Sequence, residues 1–543
     1  MKKYYFVITL VIVLLSSCTF EAVDELIPPS LLTYETDTEY PLVIDYSFAG
    51  YKQGTEKPSW KDNDLPHIFV DSLGAVPDDG KDDIDAIQAA VDSAGKMGGA
   101  IVRFSKGRYD FDVNTKERFV KIPYSNVIML GAGEGPDGTT LYDHTPSQTP
   151  VPGKMWLAGV YPSFFSVSPV DLLDEFVPGD GKMIEIASLE KGDKEQTFLD
   201  IKEARGLSED KVYLLTMSTP DRSLLSDLIY PLEKAGENYE DLVGSSVYKV
   251  RQLIEIKKIE KNRIYLETPV IWNIKDNYEI KLWEFPVEFI RNTAIVGFHM
   301  ETAWHEEFYH HKNSIHDNGW DHIKFNMCND CYAYALIHEN PSTAFAVLNS
   351  LQCSFFECRI KGNTGHNGFI VGGYSTRNLL HNLKGGKAFH TFGISGYSSG
   401  NVFYNCYSEE PSSIDCHGGL TVYNLFDNIY GSSWVHGGSS RNLPPAHAQR
   451  LTIWNWKTGM TEPYKGRIKQ TIAGFKETPG FFFVGISGMY GQPLFMPDNE
   501  KELLTEDYSG EWGNLLNFRD EPPIPSLYMF QRSQRINEEF IIR

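Results

Sequence analysis

Positive charge is scarce in this sequence. Its 543 residues include 50 Lys and Arg against 72 Asp and Glu, which gives a formal net charge of −22. Proteins that bind nucleic acid neutralise its phosphates with Lys and Arg, so this balance argues against a nucleic-acid partner. An anionic polysaccharide is compatible with the composition, but its binding requires a locally basic cleft or a bound cation.

Motifs of several well-known enzyme and metal sites are also missing. No Gly-x-Ser-x-Gly elbow lies on a predicted strand-to-helix turn, which disfavours a serine esterase. Of the seven cysteines, Cys328 and Cys331 form one Cys-x-x-Cys pair with no second pair, which disfavours a zinc site made by cysteines. Beyond the N-terminal segment, no apolar run is long enough to cross a bilayer as a helix.

The segment from Met1 to Cys18 has the features of a bacterial lipoprotein signal peptide. Lys2 and Lys3 supply positive charge, residues 4–15 form an apolar core, and the sequence Leu-Ser-Ser-Cys ending at Cys18 resembles a lipobox. Cleavage before Cys18, followed by its lipidation, would tether the protein to a membrane. We therefore expect an outer-membrane lipoprotein of a Gram-negative envelope, on its surface or periplasmic face, with residues 19–65 as a spacer.

Residues 70–111 contain the clearest local pattern. A helix at about Asp83–Met97, capped by Asp82 or Asp83, is predicted from apolar residues at helical spacing: Ile84, Ile87, Val91 and Ala94. Gly98 and Gly99 close this helix, and residues 100–104 read as a short buried strand. This stretch resembles the N-terminal cap of the pectate-lyase-like superfamily of right-handed parallel β-helices.

The resemblance implies an all-β protein built as a right-handed parallel β-helix with an N-terminal capping helix. We place the cap and first coils at 66–180, the coils with the candidate site at 285–456, and the last coils with a C-terminal tail at 457–543. Between them, residues 181–284 alternate charged and β-branched residues, which predicts an inserted small antiparallel β-domain. Inside the coils we expect small apolar packing by cysteines, with a disulfide as an alternative: Cys328, Cys353, Cys358 and Cys406.

Four histidines recur at intervals close to the length of a coil. The residue numbers of His338, His366, His390 and His417 increase in steps of 28, 24 and 27. One residue at the same place in each coil would form a column on the outer face of a parallel sheet. This pattern predicts that the four imidazoles lie in one column.

Elimination on a uronic-acid polysaccharide would suit such a column. A lyase needs a cation to neutralise the uronate carboxylate and a base to take the C5 proton, and histidine titrates near neutrality. The segment 399–419 also looks like sequences of bacterial β-helix proteins assigned to polysaccharide degradation, and glycosaminoglycan lyases are among the enzymes that it could join. The candidate catalytic residues are His366, Arg377, His390 and His417, with Lys387, Asn367 and Asn424 for substrate binding. Glu409, Glu410 and Asp415 are candidate ligands for Ca²⁺, and we expect a monomer.

Two other functions stay open at this point. A glycoside hydrolase would use paired carboxylates, for which we consider Glu409, Glu410, Asp415 and Asp427. The triplet from Arg359 to Lys361 resembles a polygalacturonase motif. In that family the triplet follows the acidic motifs, whereas here it precedes Asp415. A non-catalytic carbohydrate-binding protein would use exposed aromatic rings, for which we consider Trp304, Trp320, Trp434, Trp454 and Trp456.

Overall fold

The computed structural model describes residues 43–55, 58–61, 64–113, 119–147, 161–172, 174–190, 196–230, 248–409, 412–432, 435–437, 445–458, 478–488, 494–495, 503–504, 506–510, 513–522 and 524–536. The predicted signal peptide and Cys18 lie outside these ranges, so the lipid anchor stays a prediction. Within the described ranges, none of the helices has both the length and the apolar character needed to cross a membrane.

Two long sheets, built almost wholly from parallel strands, form the body of the protein. The large sheet has 15 strands: His67–Phe69, Ala100–Arg103, Gly107–Phe111, Val127–Leu130, Thr139–Asp143, Ala294–Thr302, Tyr332–Glu339, Ser354–Lys361, Leu379–His381, Val402–Tyr407, Leu425–Tyr430, Thr452–Thr458, Phe481–Gly488, Tyr508–Gly510 and Gly513–Leu516. The second sheet has eight: Val120–Ile122, Phe165–Val167, Asp321–Asn326, Thr343–Leu348, Asn367–Gly372, His390–Gly396, Ser413–Gly419 and Val435–Gly437.

From Asp321 to Gly437, the strands of these two sheets alternate along the chain, so each coil stacks on the one before. Thr343 pairs with Asn367, Asn367 with His390, and His390 with Ser413. Stacked partners in this region therefore lie 23 or 24 positions apart in the chain. One further parallel pairing is short: Ile290–Arg291 joins Cys328–Asn329, and single bridges continue that edge. The predicted fold class, an all-β parallel β-helix, is confirmed.

The interior of the described coils is mainly apolar, and a column of amides lines one of its turns. Cys328, Cys353, Cys358 and Cys406 are buried in the core as free thiols, as expected, together with Cys331 and Cys416. Asn378 donates its side-chain N–H to Asn401 Oδ1 at 2.9 Å, and Asn401 donates to Asn424 Oδ1 at 3.0 Å. Each amide thereby satisfies polar groups at a turn that the coil buries.

The capping helix covers Ile84–Lys96, with Asp83 and Met97 as its end residues, as predicted. Asp82 Oδ1 accepts the N–H of Ile84 at 3.0 Å, which caps the first turn. Asp83 instead accepts the backbone N–H groups of Val76 and Asp110, so it ties the helix to the first coil. The apolar face predicted from the sequence is buried.

The inserted β-domain is a closed barrel of six antiparallel strands. Its strands are Ile184–Leu189, Phe198–Ala204, Lys211–Ser218, Val250–Glu260, Arg263–Leu266 and Glu279–Glu284. A short helix, Ser223–Ile229, buries its leucines against the same core. A separate pair, Leu494–Phe495 with Leu503–Leu504, is antiparallel.

Residues 43–55, within the predicted spacer, are packed into the fold and do not extend from it as a spacer. Residues 43–55 include short 3₁₀ turns at Tyr46–Phe48 and Tyr51–Gly54, and Tyr46 is 0% exposed. The last helix, Leu527–Ile536, packs against this segment: Gln531 donates to the carbonyl of Ile44 and accepts the N–H of Tyr46, both at 2.9 Å. This helix therefore brings the two ends of the described chain together along the flank of the coils.

Candidate active site

One turn between the two sheets is much longer than its neighbours. Residues 303–320 join the strands Ala294–Thr302 and Asp321–Asn326 and carry the short helix Ser314–Asn318. Glu306 accepts a hydrogen bond from His316 Nε2 at 2.9 Å and pairs with Lys312 at 3.0 Å, which fixes the turn. The turns of the next coils, 340–342 and 362–366, are short. The long turn contacts the second of them, where Asn363 Nδ2 donates to the carbonyl of Glu306 at 2.5 Å.

This turn brings two histidines against two histidines of later coils. We call His310, His311, His366 and His390 the imidazole cluster. The ring centre of His310 lies 3.7 Å from that of His311, 4.9 Å from that of His366 and 5.7 Å from that of His390. Phe389 stacks on His310 at 4.3 Å, so an aromatic wall bounds the cluster.

A buried carboxylate orients the cluster. Asp317 is 1% exposed, and its Oδ2 lies 2.9 Å from His311 Nδ1 while its Oδ1 lies 3.7 Å from His366 Nδ1. Burial, reinforced by the neighbouring imidazoles, holds the pKa of His366 well below its ordinary value. This environment therefore favours the neutral form of the His366 imidazole.

A carboxylate–imidazole pair lies on the strand of the second sheet that pairs with the strand of His390. Alternate residues of a strand share a face, so Asp415 and His417 point outward while Cys416 is buried in the core. His417 Nδ1 lies 2.7 Å from Asp415 Oδ2, and the charge of Asp415 also acts on His366. Burial lowers the pKa of His417, but the bond to Asp415 outweighs burial and raises it above the ordinary value.

The structure places two of the predicted residues away from this surface. Arg377 is 0% exposed and donates to the carbonyls of Asp45 and Pro269 at 2.8 and 3.2 Å. Asn424 is also 0% exposed, as the last asparagine of the buried amide column. A polysaccharide on the outer face reaches neither residue, so we remove both from the candidate site.

The remaining predicted binding residues are spread along the same turns. Lys387 is exposed beside Phe389, and Asn367, partly buried, adjoins His366. Of the three residues predicted to hold Ca²⁺, Glu409 is exposed, Asp415 is paired with His417, and Glu410 lies outside the described residues. Ca²⁺ binding by these residues stays a prediction.

The prediction of a single histidine column is wrong. His338 lies on the large sheet, is 0% exposed, and contacts His322 inside the coil, with 3.2 Å between their Nδ1 atoms. His366 lies in a turn, His390 begins a strand of the second sheet and His417 lies near the end of the next strand. Stacked partners are 23 or 24 positions apart, so the longer steps before His366 and His417 shift the position within the coil. Of the four, only His366 and His390 approach each other, at 5.3 Å between ring centres.

A second set of polar residues lies on the outer face of the large sheet. We call His299, Glu301, Glu339 and Lys361 the acidic patch. Glu339 Oε2 lies 2.8 Å from both His299 Nε2 and Lys361 Nζ. The ligand atoms of His299, Glu301 and Glu339 all lie within 4.8 Å of one another.

The two carboxyl groups of the acidic patch have opposite pKa shifts. Burial, reinforced by the charge of Glu339, raises the pKa of Glu301. Burial alone would raise the pKa of Glu339, but the hydrogen bonds from Lys361 and His299 lower it. Glu301 therefore favours its protonated form, and the neighbouring Glu339 favours its ionised form.

The aromatic residues considered for sugar stacking are mostly inside the protein. Trp304, Trp320, Trp454 and Trp456 are buried, with at most 6% of their surface exposed. Trp434 lies outside the described residues. The four described tryptophans therefore provide no platform for a sugar chain.

Sequence reasoning missed His310, His311 and Asp317, as well as Glu301 and Glu339. The signal for the first group was present, because four histidines fall close together in the chain: His305, His310, His311 and His316. The acidic patch left no such signal, since its four members come from three strands that are far apart in the chain. Lys361 belongs to the triplet that resembles a polygalacturonase motif but stands in the wrong order in the chain.

A family model matches part of the chain. Residues 386–507 match the family model described as Domain of unknown function (DUF4955). This segment includes His390, Asp415 and His417. No curated protein matches the chain.

Among solved structures, the chain is similar to phage tailspikes. The tailspike gp61 of Pseudomonas phage phi297 has 10% identity and a TM-score of 0.42, covering 80% of this chain and 69% of that one. The tailspike gp49 of Pseudomonas phage LKA1 has 11% identity and a TM-score of 0.42, covering 78% and 70%. The Gp54 tailspike of Acinetobacter baumannii phage AP22, solved with a capsular saccharide, has 11% identity and a TM-score of 0.39, covering 78% and 58%.

Proposed function

We propose that this protein is a polysaccharide lyase that cleaves a uronic-acid polymer by β-elimination beside the imidazole cluster. The observation that carries this proposal is the pair formed by Asp415 and His417. Its 2.7 Å contact joins Asp415 Oδ2 to His417 Nδ1, and the imidazole is 43% exposed. The pair thus combines a buried carboxylate with an accessible ring.

His417 has the features of a general base. When Nδ1–H donates to Asp415, the lone pair of the neutral ring lies on Nε2, which can take the C5 proton of a uronate. Removal of that proton forms the C4–C5 double bond and breaks the bond from C4 to the glycosidic oxygen. The departing oxygen then takes a proton from water. The raised pKa of His417 suits a base that works near neutral pH.

The charge of the uronate must also be neutralised, because its C5 proton is otherwise very weakly acidic. Lys387 is the exposed cation nearest in sequence to His390 among the described residues. The pKa of His366 is lowered, so at neutral pH that ring contributes a hydrogen-bonding group and no charge. Lys387 is therefore our candidate substrate-binding cation from the protein itself.

The test is a survey of acidic polymers with the purified protein. Pectin, alginate, ulvan and glycosaminoglycans are incubated in turn, and the ultraviolet absorbance of the unsaturated uronate is followed together with new reducing ends. Elimination produces both signals. Neither signal on any polymer would contradict the proposal and favour a non-catalytic binding protein.

A glycoside hydrolase is the second candidate, and the acidic patch favours it. Paired carboxyl groups with separated pKa values are what acid–base hydrolysis of a glycosidic bond requires, and Glu301 and Glu339 have this property. Reducing ends without the unsaturated product would support the hydrolase. Glu301→Gln and Glu339→Gln would then abolish activity, whereas His417→Ala would leave it largely intact.

A further inference from the structure

We propose that His310, His311 and His366 form a zinc-binding site. Their ligand nitrogens all lie within 4.8 Å of one another. Tetrahedral zinc with Zn–N bonds of about 2.1 Å holds its nitrogens about 3.4 Å apart, so small ring rotations bring the three atoms into range. The inference deepens the proposed function, because it assigns the cation that faces the uronate.

The chemistry of the donors selects the metal. Three imidazoles with no thiolate among them suit zinc and related transition metals, whereas Ca²⁺ prefers six or more oxygen ligands. Three protein ligands leave one position open, as in catalytic zinc sites. His311 is 54% and His366 14% exposed, so a ligand from solution can reach the open position.

Groups around the three rings supply the supporting contacts that zinc sites need. The Asp317 carboxylate accepts from His311 Nδ1 at 2.9 Å, which leaves the lone pair of that ring on Nε2 for the metal. Asp317 also accepts the backbone N–H of His311 at 3.1 Å, so side chain and backbone are both held. Phe308 lies nearly parallel to His366, with 6.3 Å between ring centres, and limits its rotation.

A dication here would solve the electrostatic problem of the substrate. The chain carries a formal net charge of −22, which repels a uronate polymer at long range. Zinc held by the three imidazoles adds two positive charges at a site where the charge of Asp415 already acts on His366. The uronate carboxylate would bind at the open position.

The test measures zinc binding directly and does not depend on activity. Untagged protein is stripped with a chelator and titrated with zinc chloride in a calorimeter. We expect one zinc per chain, weakening of at least about tenfold in His310→Ala, His311→Ala and His366→Ala, and weakening of about tenfold in Asp317→Asn. His305→Ala is the matched control, since this exposed histidine belongs to the same turn, and it should bind as the wild type does.

The outcomes separate the zinc site from the proposed function. Wild-type protein that binds no zinc, or His311→Ala that binds it unchanged, overturns the site. If circular dichroism shows that His366→Ala does not fold, zinc binding by the His311→Ala variant decides the test, because His311 is exposed. Zinc binding without elimination on any polymer keeps the site and removes the lyase. Elimination without zinc binding removes the site and keeps the lyase.

Discussion

Asp415 Oδ2 and His417 Nδ1 lie 2.7 Å apart on the outer face of the second sheet. The geometry follows from strand alternation, since residues two apart share a face and the intervening Cys416 fills the core. The carboxylate is 5% and the imidazole 43% exposed, so one partner is fixed and the other is open to solvent. This asymmetry is what a general base and its orienting group require.

His417→Ala should abolish elimination while the fold is retained. Removal of a general base costs about a hundredfold or more in rate, and a truncated side chain on an exposed face costs little stability. The measurement is kcat from the absorbance of the unsaturated product. His305→Ala should keep the wild-type rate. Equal rates in both variants would rule out His417 as the base.

Asp415→Asn should move the pH profile toward acid. Burial lowers the pKa of His417 and Asp415 raises it, so loss of the carboxylate leaves burial unopposed. The base must be unprotonated, and the rise of kcat/KM with pH reports its pKa in the free enzyme. We expect this rise to begin at lower pH in the variant, with a reduced maximum because the ring is less well oriented. An unchanged profile would assign the acidic limb to another group.

Asn401→Ala should destabilise the coils strongly. Its amide donates to Asn424 Oδ1 and to the carbonyl of Ser375, and its Oδ1 accepts the backbone N–H of Asn378. Groups left unsatisfied in a buried site cost about 1–3 kcal/mol each, so we expect a loss of about 3 kcal/mol or more in urea unfolding.

The matched control for Asn401 is Asn405→Gly. Asn405 lies in an exposed amide ladder of the same spacing, donating to Asn382 Oδ1 at 2.7 Å, and its φ of 51° suits glycine. This variant should change the free energy of unfolding by less than about 1 kcal/mol. Equal losses in the free energy of unfolding would mean that burial does not determine how much the amide column stabilises the coils.

The amide ladders show what the sequence could and could not reveal. The capping helix and the β-domain were predictable because their patterns are local: a helical apolar face, and alternation along strands. The repeat of 23 was also available, since Asn378, Asn401 and Asn424 recur at that spacing. Two of the three histidine intervals, 28 and 27, are longer than this period. The column that the intervals predicted therefore does not exist.

Two features of the site depend on contacts that no local pattern encodes. Arg377 has the positive charge expected of a residue that binds an anionic substrate. The segment near Asp45, far away in the chain, covers it and supplies its acceptor. The imidazole cluster forms because a long turn crosses to the following coils, which places His310 against His366. The sequence showed the histidine-rich turn but not the direction in which it folds.

Cys18→Ala should release the protein from the membrane fraction or leave its signal peptide uncleaved. The reason is chemical, since alanine cannot receive the thioether-linked lipid that a lipobox cysteine carries. Membrane and soluble fractions of the cells would be compared by immunoblot with Ser17→Ala as control, which keeps the cysteine. A Cys18→Ala protein that is processed normally and stays with the membrane would contradict the lipoprotein prediction.

Asp427→Asn should make the stability of the protein less sensitive to pH. Asp427 Oδ2 accepts from Ser526 Oγ at 2.7 Å and from Tyr528 N at 2.8 Å, and burial raises its pKa from 3.8 to about 7 despite these bonds. The folded pKa lies above the unfolded one, so the folded state holds the extra proton between these values. The stabilisation is complete below the unfolded pKa and is lost as pH rises through about 7.

Asparagine cannot ionise, so the stability difference between Asp427→Asn and wild type should shift toward the variant by about 1 kcal/mol or more between about pH 5 and 8. Thermal unfolding at a series of pH values measures this shift. Asp137→Asn is the control, because this carboxyl group is 90% exposed and its pKa is lowered by Lys106, which leaves it ionised over the whole range. A constant difference for Asp427→Asn would mean that Asp427 is already ionised at the acidic end of this range. Its contacts with Ser526 and Tyr528 would then hold a charged carboxylate under the C-terminal helix.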